Sequence, residues 1–142
     1  MIERAGILIL AVAACSLAFV ALRTWQRTRL AQLGQRTAPS ELRRLGLPGG
    51  GPAILYFTTA MCGICRLQQA PALQQVAQRL DHRVLVHTLD AIEARTLADF
   101  YGVLTVPTTV VLDEHRRPAY INHGLATVPV LLTQVMPLLP EK

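Results

Sequence analysis

The sequence predicts an α/β sandwich with a central mixed sheet, on three observations. Short apolar runs alternate with amphipathic stretches of helical period from residue 53 onward. Their order, βαβα followed by ββα, is one that buries a sheet between helices. A breaker cluster, PGGGP at residues 48–52, separates this region from an N-terminal third of different composition. At 142 residues the chain has room for one domain and little else.

The first strand is Ala53–Thr58, AILYFT, an apolar and aromatic run of buried-strand type. From Gly63 to Leu80, the residues Leu67, Ala70, Leu73, Ala77 and Leu80 recur at steps of three and four and mark one apolar helix face. Pro71 lacks a backbone donor and clashes with the preceding turn, which predicts a kink. Residues 83–89, RVLVHTL, form the next strand, and 91–102 a helix ended by Gly102. TTVVLD at 108–113 is a strand, DEHRRP a turn and AYINHG at 119–124 the last strand. Thr127 caps a final helix with Pro129 in its first turn, and Leu131, Leu132, Val135 and Leu138 are available for packing.

Before this domain lies a run without charge, Ala5–Leu22, in which only Ser16 interrupts the apolar series. As a helix its 18 residues span roughly 27 Å, the thickness of a bilayer core. Trp25 follows at the place of an interfacial aromatic. The expected organisation is a short tail (1–4), a transmembrane anchor (5–22), a basic juxtamembrane linker with one short helix capped by Ser40 (23–51), and the α/β domain (52–142). A signal peptide cleaved after AVA at 11–13, or a lipoprotein signal ending at Cys15, are the competing readings. An uncleaved anchor accounts for the length, Trp25 and the arginines together.

Charge is distributed as unevenly as hydropathy. Residues 1–50 carry seven arginines against Glu3 and Glu41, whereas residues 51–142 carry seven basic and seven acidic side chains. A nucleic-acid interface would need its positive charge on the folded domain with aromatics to stack, so that function is excluded. Six of the arginines follow the apolar run and one precedes it, which by the positive-inside rule puts the domain on the cytoplasmic face of the cell membrane. The secretory and lipoprotein readings put it outside.

Two of the three cysteines stand in TTAMCGIC, residues 58–65. A thiolate at the start of a helix is stabilised by free N–H groups and the positive end of the helix dipole. Cys62 occupies that place, and Cys65 one turn later is positioned to resolve a mixed disulfide. A C-x-x-C beside a βαβ pattern reads as a redox motif rather than a zinc site. The histidines (82, 87, 115 and 123) are too scattered to complete a metal set, so no metal is expected. Cys15, inside the apolar run, reads as a small packing residue.

On these residues the chain resembles the thioredoxin family over about Pro52–Leu139. YFTTAMCGIC is similar to the family's strand, loop and dithiol helix, and YGVLTVPTTVVLD, about 42 residues on, to its second signature. The resemblance implies a thiol–disulfide oxidoreductase with Cys62 and Cys65 catalytic and no cofactor beyond their disulfide. It implies that Pro107 is cis and faces the dithiol, that Val106 precedes it in the substrate groove, and that Gly124 follows the last strand. Met61, beside the exposed sulfur, is expected to contact substrate. Partners would be protein disulfides or dithiols, an upstream electron donor and the lipid bilayer. The family's tryptophan before the first cysteine is Met61 here, the proline within the motif is Ile64, and its buried aspartate and partner lysine fall on Tyr56 and near Val86. The alternative function is a non-catalytic adaptor or metallochaperone-like binding module at the membrane. Arg66, Asp90 and Glu93 read as a solvated arginine and as cap and dipole partners.

Overall fold

The computed structural model describes the backbone of residues 2–36 and 39–140, and the side chains of these except residues 2–6, 8 and 9. Two compact units divide the chain, Met1–Gln32 and Leu33–Lys142. The first is the body of one helix, α1 (Ile2–Gln35). Among the described residues no helix is long and apolar enough to cross a membrane. The predicted anchor, Ala5–Leu22, falls in part on residues 5, 6, 8 and 9, whose side chains lie outside that description.

The second unit holds a four-stranded sheet in the order β2-β1-β3-β4. β1 (Ala53–Thr58) runs parallel to β2 (Leu85–Asp90) and antiparallel to β3 (Thr108–Leu112), which pairs antiparallel with β4 (Pro118–His123). The expected mixed sheet is present. Alternation along β1 sends its side chains to two cores. Ile54 and Tyr56 pack with Cys65, Leu73, Val76 and Leu131 beneath α3 (Ala70–Arg79) and α5 (Val128–Val135). Ala53, Leu55 and Phe57 pack on the other face with Leu97, Ala98 and Tyr101 of α4 (Arg95–Tyr101) and with Leu42 of α2 (Ser40–Arg44). Leu33 and Leu42 are buried, so the compact unit takes in residues 33–51, which the sequence presents as linker.

Local chemistry sets the ends of these elements. Gly102 closes α4 in the left-handed conformation at φ 68°, as a helix-ending glycine should. Asp90 accepts the N–H groups of Ile92 and Glu93 and turns the chain after β2, so α4 begins at Arg95 rather than Ala91. Pro39, not Ser40, is the N-cap of α2, and Ser40 is its first helical residue. Thr127 stands at the N-cap of α5 but makes no side-chain cap bond.

The helix after the dithiol departs most from its pattern. Cys65–Gln69 is a π turn, and regular α-helix begins only at Ala70. The Ala70 N–H donates to the Cys65 carbonyl five residues back. Pro71 has no N–H to continue the series, and the wider turn accommodates its ring where a kink is expected. A π turn takes more than 3.6 residues per revolution, so steps of four keep Cys65, Gln69 and Leu73 on the buried side. Leu67, predicted to face the core, is 80% exposed instead, and Gln69 is fully buried.

Candidate functional site

The two cysteines meet at the C-terminal end of β1. A turn follows Thr58, with the Cys62 N–H donating to the Thr59 carbonyl at 3.1 Å, and helix begins at Gly63. Cys62 and Cys65 are joined by a disulfide with Cα atoms 5.3 Å apart. Cys62 is half-buried, whereas Cys65 is fully enclosed in the core beneath α3 and α5. The Cys65 N–H lies 3.3 Å from the Cys62 Sγ, a donor ready for a thiolate.

The position under the dithiol where the family carries an aspartate is filled by a hydrogen-bonded tyrosine. The Tyr56 hydroxyl donates to the Cys65 carbonyl at 3.0 Å. Among the described residues the buried polar side chains are Gln69, Thr108 and Thr109, and no carboxylate is buried. A proton leaving the Cys65 thiol therefore meets no internal carboxylate base.

On the facing loop the Val106–Pro107 peptide is cis, as the resemblance implies. Val106 is half-buried and packs against both cores, and Pro107 is buried. The Gly124 N–H donates to the Pro107 carbonyl at 2.8 Å, with Gly124 at φ 88°, where a side chain would be strained. Met61 (92% exposed) and Leu104 (93% exposed) project from the loops that carry the cysteines and the cis-proline. Arg66 is exposed and makes no ion pair among the described residues.

The sequence reading missed Gln69. Its amide N–H donates to the Ala126 carbonyl at 3.1 Å and its carbonyl accepts the Ala126 N–H at 2.8 Å. This reciprocal pair fastens the π turn carrying Cys65 to the loop after Gly124. A glutamine four residues after a cysteine carries no periodic signal, because the π turn that buries it is invisible in the pattern. No cluster of metal-ligating side chains exists among the described residues.

The sequence pattern of the thioredoxin family matches residues 49–129. The chain is 29% identical over 66 residues to thioredoxin 1 of Synechococcus elongatus, covering 46% of this chain and 61% of that protein. It is 34% identical over 68 residues to thioredoxin of Rhodospirillum rubrum, covering 48% and 64%. It thus spans less than two thirds of these curated relatives. Among solved structures, chloroplastic thioredoxin z superposes with a TM-score of 0.57 at 24% identity over 72% of this chain and 90% of that one. A thioredoxin variant from Halobacterium salinarum superposes with a TM-score of 0.57 at 22% identity over 75% and 89%. At these identities the structures speak for the fold alone. The matched pattern covers more than half the chain and includes both cysteines and Pro107: the chain belongs to the thioredoxin family.

Proposed function

We propose that this protein is a membrane-tethered thiol–disulfide oxidoreductase acting on protein disulfides. One observation carries the chemistry: a half-exposed Cys62 bonded to a fully buried Cys65 across from Pro107. In the reduced form the Cys62 thiolate attacks one sulfur of a substrate disulfide, and the other sulfur leaves as a thiol. Cys65 then attacks the Cys62 Sγ of the mixed disulfide. That step releases the second substrate thiol and closes the Cys62–Cys65 disulfide, moving two electrons to the substrate. A dithiol donor returns them by the same steps in reverse. The chemistry needs only the protein's own sulfur atoms. Met61, Val106 and Pro107 border the path by which a substrate reaches Cys62.

The tether rests on Ala5–Leu22. Ile7, Leu10, Val12, Leu17, Phe19, Val20 and Leu22 are exposed, and at 100° per residue they lie around the whole circumference of α1. A helix apolar on all sides needs apolar surroundings on all sides. Trp25, with the Arg29 guanidinium 5.5 Å from its ring, suits the interface at the end of such a span.

The full chain, purified in detergent and equilibrated in thiol–disulfide buffers of graded potential, tests the enzymatic reading. A reversible two-electron transition assigned to Cys62–Cys65, together with catalysed insulin reduction, is expected. A pair that turns over no protein disulfide would leave a non-catalytic adaptor in its place. Extraction of cell membranes with alkaline carbonate tests the tether, and release of the protein would remove it.

A further inference from the structure

At the end of the sheet opposite the dithiol lies a cavity of about 520 Å³. The register fixes its place. Phe57 of β1 pairs with Thr108, next to Pro107, whereas Ala53 pairs with Leu112, next to the β3–β4 turn that borders the cavity. Leu42, Leu47 and Phe100 contribute apolar wall, and Arg36, Arg43 and Arg117 contribute guanidinium groups.

Among the described residues no carboxylate lines this cavity, and Glu41 on α2 is not among its walls. Among the described residues none of the three arginines is in an ion pair. The neighbouring acids are engaged elsewhere. Asp113 accepts the His115 and Arg117 N–H groups, each at 2.8 Å, and Glu114 lies 3.7 Å from His115. The Arg116 guanidinium donates to the Pro48 and Gly51 carbonyls and braces the wall. A second observation is independent of charge. Tyr101 lines the cavity with its side chain all but buried, and its hydroxyl, which makes no hydrogen bond among the described residues, is not sealed off from solvent. Burial pushes this phenol up to about 12, so it remains a neutral donor.

We propose that the cavity binds an anionic phospholipid, its phosphate held by Arg36, Arg43 and Arg117 with the Tyr101 hydroxyl donating to it. Guanidinium forks match phosphate oxygens in pairs. The apolar wall of Leu42, Leu47 and Phe100 suits the glycerol and acyl stem, which a free phosphate lacks. Basic pockets beside a membrane take lipid headgroups on the same terms. The inference rests on the membrane reading above for the source of the ligand, not for the geometry of the site. With β1 six residues long, at ~3.3 Å per residue the lipid site and the dithiol stand roughly 20 Å apart. Lipid at one end leaves the other open to protein substrates.

The test is a calorimetric titration of the full chain in a non-ionic detergent, with three probes. These are dihexanoyl-phosphatidylglycerol, dihexanoyl-phosphatidylcholine and inorganic phosphate. The phosphatidylglycerol should bind about tenfold or more tighter than the other two, in line with charge-assisted recognition. The combined Arg36→Gln, Arg43→Gln and Arg117→Gln variant should lose about tenfold or more of that affinity. Tyr101→Phe should lose about threefold to tenfold, the worth of one hydrogen bond. Both should reduce insulin at the unaltered rate, which shows that they fold. Equal affinity for the two lipids, or binding unaffected by the triple variant, would overturn the proposal. Phosphate binding as tightly as phosphatidylglycerol would overturn the lipid as its source. A chain released by carbonate that still prefers phosphatidylglycerol sinks the tether alone, and a retained chain without that preference sinks the lipid site alone.

Discussion

An attacking sulfur must reach a substrate, and a resolving sulfur must be shielded until a mixed disulfide forms beside it. Cys62, half-buried with the Cys65 N–H 3.3 Å from its Sγ, suits the first role, and the enclosed Cys65 the second. Limiting iodoacetamide added to the reduced protein should therefore alkylate Cys62 first, as read by peptide mass, and preferential labelling of Cys65 would reverse the assignment. Cys65→Ser should trap mixed disulfides that Cys62→Ser does not. The loops around this sulfur leave Met61 and Leu104 almost wholly in water. Burying even part of a leucine against a docked protein is worth about 1 kcal/mol, or about fivefold in affinity. Leu104→Ser should accordingly raise KM for insulin by about that factor and leave the reaction with a small disulfide unchanged. An equal loss on both substrates would place Leu104 in the chemistry rather than in docking.

At the scale of elements, the π turn and its glutamine hold the resolving cysteine in place. Gln69 satisfies both backbone groups of buried Ala126, so Gln69→Leu strands a donor and an acceptor together. The cost should be about 2–4 kcal/mol, read as a lower urea midpoint. A variant as stable as the parent would mean that the loop after Gly124 finds other partners. This turn also marks where the sequence stops being legible. β1 is bounded by its apolar run and Gly102 by its helix-ending chemistry, because both signals are local. Burial of Gln69 and exposure of Leu67 depend on how a π turn absorbs Pro71, and a three-and-four periodicity cannot carry that information. The Tyr56 bond to Cys65 is equally silent, since an aromatic in a buried strand reads as core whatever its hydroxyl touches. In α4, Tyr101 packs its ring 6.5 Å from Phe57 with its phenol pushed up from 10.0 to about 12 by burial. The folded state then keeps a proton that the unfolded state loses, so stability falls as pH rises from about 10 to about 12. The loss should approach about 2–3 kcal/mol, at 1.36 kcal/mol per pKa unit. Tyr101→Phe should flatten the difference, as followed by urea unfolding across that range.

For the whole molecule, the proposed tether makes charge the determinant of which compartment the dithiol would meet. Residues 51–142 carry equal numbers of basic and acidic side chains, so the domain itself has no strong preference for either side of a membrane. The preference lies in the flanks of Ala5–Leu22, with Arg4 before the run and Arg23, Arg27, Arg29, Arg36, Arg43 and Arg44 after it. Cationic flanks resist translocation and gain about 1 kcal/mol per residue beside an anionic leaflet. The lipid site proposed for Arg36 and Arg43 would add to the same bias. The expected topology puts the domain in the cytoplasm, where the reducing environment keeps the pair as a dithiol and the protein works as a reductase. Separate fusions of alkaline phosphatase and a fluorescent protein after Lys142 measure this, with fluorescence and no phosphatase activity as the expected result. The opposite pattern would place the domain outside, where the secretory or lipoprotein reading takes over. Cys62 would still attack and Cys65 still resolve there, but an oxidising compartment would hold the pair as a disulfide and send electrons from substrate to protein.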